Sequence, residues 1–368
     1  MAYRRRARHS KTVPAVLCLL VAVIAVWTPA AGRSSRDLRL AYLDFSARQD
    51  IFTVDPGLRH GHGGNDSGPP ERITTGGEVL QLRWSPAGNL FAIMSPENTI
   101  VVMEPDGSHP RIVATDDASL GEFSPDGSRL ALVRDADGHN NIWVVDLVFG
   151  GLTPIVTFAG EGFTSHLVWS PNGKRLAFDR SDCPGGTGCG DPHVIVVDTD
   201  RTARHTVATG TDPSWSPNNK QLAFSGPLGE VRIVSAAGGA ARTIATRTVG
   251  APTVLAWQPK GHLIAYFTGD QNPLEDTFSI ATVRRDGKKL NSLLLPGFSA
   301  IDLAWSPNGK DLAFGAFYET PDGFGADVFG VDKGLDTLRN ITNTGTAFGP
   351  EWAPPPSPRR GGVSVPGT

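Results

Sequence analysis

The chain of 368 residues has only three cysteines. That excludes a disulfide-organised scaffold and a multi-cysteine metal cluster. It also lacks a dominant charge, with 34 basic and 37 acidic residues. Five of the basic residues (Arg4, Arg5, Arg6, Arg8, Lys11) lie in the first 31 positions, which hold no acid, so the remainder is mildly acidic. Such a body lacks the basic surface that neutralises phosphates, so non-specific nucleic-acid binding is excluded. The longest apolar run, 13–27, is about 15 residues, short for a membrane span. No Gly-x-Ser-x-Gly nucleophile elbow occurs.

Turn-forming residues are abundant: 43 Gly and 29 Pro. Many short strands require such a supply. The basic N-terminus, the apolar run and the small residues Thr28-Pro29-Ala30-Ala31-Gly32 read as a targeting segment over 1–34. It is either a cleaved signal peptide or a retained anchor, and both export the rest. An extracytoplasmic location follows, in the periplasm or at the cell surface. Cys18 is an apolar member of the run. Cys183 and Cys189 flank Pro-Gly-Gly-Thr-Gly, and an oxidising compartment predicts a disulfide between them.

A ten-residue phrase recurs. It reads Trp-Ser-Pro-Asn-Gly-Lys-Arg-Leu-Ala-Phe from Trp169, with near copies at Trp84, Phe123, Trp215, Trp257 and Trp305 and a truncated one at Trp352. A period in the forties with one aromatic per unit predicts a β-propeller, one unit per blade. Pro presets φ at the second turn position and Gly takes the positive φ that other residues adopt at a cost. The aromatic and the Leu/Phe pair fill the space between blades. Residues 40–42 are a second strand with no phrase before them, and Trp352 ends a first strand with no hairpin after it. Pairing the two closes the ring and removes its open edges. The expected fold is all-β, a seven-bladed propeller over 36–355 with six blades as the alternative, followed by a Pro/Gly-rich tail over 356–368.

These repeats resemble those of the TolB family of bacterial propellers, in which Trp-Ser-Pro-Asp-Gly and Leu-Ala-Phe mark each blade. The stretches 123–132 and 305–314 match closely. TolB proper places a separate domain before six blades, whereas seven are counted here. The same repeats occur in prolyl-oligopeptidase-type propellers.

Strands alternate in direction, so the Ser-Pro turns and the third-to-fourth-strand turns share one face, and the remaining loops share the other. The first face is stereotyped. Loops on the second, 180–193, 267–277 and 315–326, vary, and variable loops on a rigid scaffold are where binding concentrates. The summed charge of the whole second face is roughly −17, against roughly +5 on the turn face. Candidate binding residues are Asp116, Asp117, Asp135, Asp137, Asp270, Glu275, Phe317, Tyr318, Glu319, Asp322, Phe324 and Asp327. They suit a basic protein or cell-envelope partner. His139, His166, His193 and Asp191, with Asp137, form a candidate metal set on neighbouring blades. His60 and His62 are a weaker pair on the turn face. The expected function is an exported, non-enzymatic binding scaffold without a cofactor. The alternative is a metal-dependent hydrolase or lyase acting on a polysaccharide or small molecule in the propeller mouth, with a divalent cation.

Overall fold

The structure is a computed structural model that describes residues 39–353, apart from 48, 57–68, 76–77, 116, 136–138, 187, 247–253, 270–277, 301 and 322. The targeting segment, the tail, His60 and His62 lie outside the described residues. Seven antiparallel sheets form, each with successive strands side by side. Blade 1 joins Ala347–Trp352 to Leu40–Asp44, Asp50–Val54 and Glu71–Arg72. Blades 2 to 7 start at Gln81, Ala118, Gly162, Thr211, Leu255 and Phe298. Closure by the two chain ends is as expected: Leu40 pairs with Trp352, and the Ala353 N–H donates to the Arg39 carbonyl over 2.8 Å.

The recurring phrase builds the turns of blades 4, 5 and 7 alike. In blade 4 the Arg175 N–H donates to Ser170 Oγ at 2.9 Å and Ser170 Oγ donates to Asn172 Oδ1 at 2.8 Å. Gly173 then takes φ 67°, and Asn219 takes φ 62° at the matching place in blade 5. Left-handed backbone favours glycine, and asparagine tolerates it. A second clamp pins each turn to the next hairpin: the Thr199, Ala236 and Lys333 N–H groups donate to the carbonyls of Lys174, Lys220 and Lys310.

Seven apolar clusters occupy the seven blade interfaces. Each phrase aromatic packs against the preceding blade. Trp215 meets Val194, Val196 and Val207 of blade 4, and Phe123 fills the same role against Ile100 and Val102 of blade 2. Burial of an aromatic is worth a few kcal/mol, roughly 3–5 by its removal.

The first strands ring the axis, because those of neighbouring blades bond directly. Trp169 Nε1 donates to the Glu122 carbonyl, Trp305 Nε1 to that of Ala256 and Trp352 Nε1 to that of Ala304, over 2.9 to 3.1 Å. Several first strands carry a bulge three residues before the aromatic, where His166, Asp212 and Gly349 adopt φ of 47°, 54° and 63°.

The loop-face segments are more regular than expected. The stretch 315–326, read as an aromatic loop, is a hairpin of two ten-residue strands, Asp311–Thr320 and Gly323–Asp332. Large side chains alternating with small ones at 312–315 fit the strand period. Arg180 and Phe267, taken as loop starts, lie inside Arg175–Asp182 and Leu263–Gly269.

Candidate binding face and acid-lined channel

The loop face carries most of the exposed apolar bulk. Phe45 (44% exposed), Phe163 (64%), Leu228 (81%) and Phe324 (81%) all sit at its hairpins or strand starts. Phe45 stacks on Phe348 with ring centres 4.1 Å apart and borders a shallow hollow of about 630 Å³ shared with Gln49, Glu78 and Pro96. The Leu228 N–H donates to Glu230 at 2.9 Å. In the blade that carries Phe324, the rings of Phe298, Tyr318 and Phe329 pack with centres 4.9 to 6.1 Å apart. Large aromatics held on ordered backbone lose little entropy on binding.

Of the candidate acids on this face, Asp117, Asp135 and Glu319 are exposed. Asp116, Asp137, Asp270, Glu275 and Asp322 lie outside the described residues. Phe317 and Tyr318 are half-buried. Asp327 differs from the expectation: it is 1% exposed. Its carboxylate accepts from the Tyr318 hydroxyl (2.5 Å), Asn340 (2.9 Å), the Thr342 hydroxyl (2.7 Å) and the Thr344 and Gly345 N–H groups (2.7 and 3.1 Å). These donors hold its carboxyl below the usual carboxylate range against the opposing effect of burial, and the same contact raises Tyr318 to about 12. Asp327 therefore anchors the segment leading into blade 1, and its charge is spent internally.

Cys183 and Cys189 are bonded at 2.01 Å on this face. The proposed metal ligands are not assembled. Among the described residues no three His, Cys, Asp or Glu side chains are arranged to hold a metal ion. His166 Nδ1 instead bonds Asp179 at 2.6 Å. The His139 carbonyl accepts from buried Arg180 at 2.9 Å, and His193 and Asp191 are exposed.

The position just before each phrase aromatic, at Arg83, Glu122, Val168, Ser214, Ala256, Ala304 and Glu351, is half-buried on the first strands. Arg83 pairs with Glu351 at 3.0 Å. Glu122 accepts the Trp169 N–H at 2.8 Å, Ser214 accepts the Trp257 N–H at 3.0 Å and Asp212 accepts the Leu255 N–H. These polar side chains latch one blade's first strand to the next. Burial raises the Glu122 carboxyl to about 7 and that of Asp302 to about 6, with Glu351 also raised. His166 is raised as well: desolvation pulls it down, but Asp179 and Asp212 outweigh that. Sequence reasoning missed this set, although aligning the repeats on their aromatic and reading one residue back would have found the ring.

The family model described as the TolB β-propeller domain matches residues 95–355. Among solved structures, TolB from Acinetobacter baumannii is 16% identical with a TM-score of 0.51, covering 86% of this chain and 67% of that one. An oligogalacturonate lyase in complex with manganese is 15% identical with a TM-score of 0.56, covering 83% and 84%. The oligogalacturonate lyase from Vibrio parahaemolyticus is 14% identical with a TM-score of 0.53, over the same shares. At these identities the likeness is one of fold. No curated protein matches the chain by sequence.

Proposed function

This chain belongs to the TolB β-propeller domain family, and on that premise we propose that it is an exported, non-enzymatic scaffold whose loop face docks a protein or cell-envelope component bearing basic side chains. The observation that carries this reading is the grouping of Phe45, Phe163, Leu228 and Phe324 on one face beside exposed Asp117, Asp135 and Glu319. Apolar anchors give affinity, and the surrounding acids give orientation and salt dependence. Export rests on the basic, apolar N-terminal segment. The test is site-specific photo-crosslinking in cells. A crosslinker at Phe324 or Phe163 gives a discrete protein adduct that high salt weakens. Adducts from neither position, with adducts from turn-face positions, would defeat the reading.

A second reading keeps the enzyme alternative in a narrower form. His166, held by Asp179 in a strained left-handed conformation on the channel wall, has the arrangement of an oriented general base. Chain cleavage of an acidic polysaccharide, such as the oligogalacturonate of the two lyases, is its natural assay. Loss of measured cleavage in His166→Ala supports it, and absence of any cleavage by the unaltered protein removes it.

A further inference from the structure

The turn face has a chemistry of its own. Its Ser-Pro turns in blades 4, 5 and 7, and the Gln-Pro turn of blade 6, carry exposed Lys174, Lys220, Lys310 and Lys260. These four turns contain no acid, because Asn172, Asn218 and Asn308 stand where blade 3 has Asp126. The lysines therefore form a crescent around one side of the channel mouth. Exposed acids on this face include Asp126 on the inner turn of blade 3, outside the crescent, and Asp106, Asp200, Asp286 and Asp336 on outer turns.

Next to the crescent, in blade 3, the turn after Asn141–Asp146 lifts Val148 (66% exposed) and Phe149 (89% exposed) into solvent. It does so rigidly. Asp146 Oδ1 accepts the Val148 and Phe149 N–H groups at 2.9 and 2.8 Å, and the Leu147 N–H is clamped to the Ser128 carbonyl at 2.9 Å. A nearly fully exposed phenylalanine fixed at a tip suits an apolar phase.

We infer that the turn face rests on an anionic bilayer surface, Val148 and Phe149 entering the headgroup region while Lys174, Lys220, Lys260 and Lys310 face anionic lipid. Basic residues near a charged membrane and an apolar tip are the two signals that together hold a surface-bound protein. The loop face then points away, free for its partner. This goes beyond the proposed scaffold role and does not depend on it.

The test uses the full chain with Cys18→Ser, reconstituted in phosphatidylcholine vesicles with and without phosphatidylglycerol. A spin label is placed at Val148→Cys or, as control, Phe324→Cys. The label at 148 should become accessible to oxygen and shielded from a water-soluble relaxant only with phosphatidylglycerol. High salt, or the fourfold Lys→Glu variant at 174, 220, 260 and 310, should abolish that shift. The label at 324 should stay in water throughout. Equal shielding of 148 in both lipids, immersion of 324, or shielding of 148 only on adding an acidic envelope protein would each overturn the inference. Circular dichroism of each variant separates lost docking from lost folding.

Discussion

The two faces of the propeller are made from the same seven blades and differ in almost everything else. On the turn face, one Ser-Pro hairpin recurs and its acids are tied locally. Asp126 and Asp106 are held below the usual carboxylate range, first by the hydroxyls of Ser124 and Ser108 and then by N–H groups of the same turns. Asp200 follows the same rule, through Thr202. On the loop side, the described blades differ more. One has a disulfide-closed loop, one a hairpin of two ten-residue strands, and blades 2 and 5 have short turns, the latter presenting Leu228. Into the channel between the faces, carboxylates are pushed upward by burial. The difference teaches that repetition preserves the side where backbone geometry is demanding and releases the side where it is not.

Within the loop face, that comparison can be broken by separating acids that build from acids that face water. Asp327→Ala strips a buried hub of its acceptor and leaves several donors unpaired, a loss of about 3 kcal/mol or more in urea unfolding. Glu319→Ala should stay within about 0.5 kcal/mol. Similar values for the two would erase the distinction. Next in size is the disulfide: Cys183→Ala with Cys189→Ala closes no loop in the unfolded chain and should cost about 2 kcal/mol for so short a span. The turn face is probed by Ser306→Ala. Ser306 Oγ accepts the Asp311 N–H at 3.0 Å and is fully buried. Its loss should cost about 1 kcal/mol, and the equivalent Ser170→Ala should cost the same if the turns are truly equivalent.

What was legible in the sequence follows from how local each feature is. The Ser-Pro-Asn-Gly turn encodes its own geometry, so blade number, closure and strand order could all be read from it. The Cys183–Cys189 bond was legible for the same reason, since the two lie six residues apart. Asp327 was misjudged because its five partners come from 318 and from 340–345, which the fold brings together. The channel latch was invisible for a subtler reason. A bulge at His166, Asp212 or Gly349 shifts the first strand's register, and one residue of shift changes which side chains face the axis. Strand alternation alone therefore misassigns Glu122, Asp212 and Glu351. His166, expected on the connection between the third and fourth units, lies in strand Gly162–Trp169, and its Nδ1 bonds Asp179.

The smallest effect is the most diagnostic of the channel. A carboxyl whose folded pKa is raised binds a proton in the folded state that the unfolded chain has already lost. Stability therefore falls as pH rises through that interval. For Glu122 the interval runs from its ordinary value of 4.5 to about 7, and for Asp302 from 3.8 to about 6. His166 adds in the same direction. Its pKa is raised from 6.5, so its contribution is complete below that value and is lost as pH rises through the folded pKa. The turn-face acids act oppositely, but only below about pH 4, where their lowered groups protonate. The melting temperature should therefore peak near pH 5 and decline toward pH 7.5. Glu122→Gln should flatten the decline between pH 5 and 7, because it removes the raised carboxyl. Asp126→Asn on the turn face should leave that interval unchanged and alter only the acid limb. A slope unchanged in Glu122→Gln would place the titrating groups elsewhere and remove the electrostatic contrast between channel and turn face.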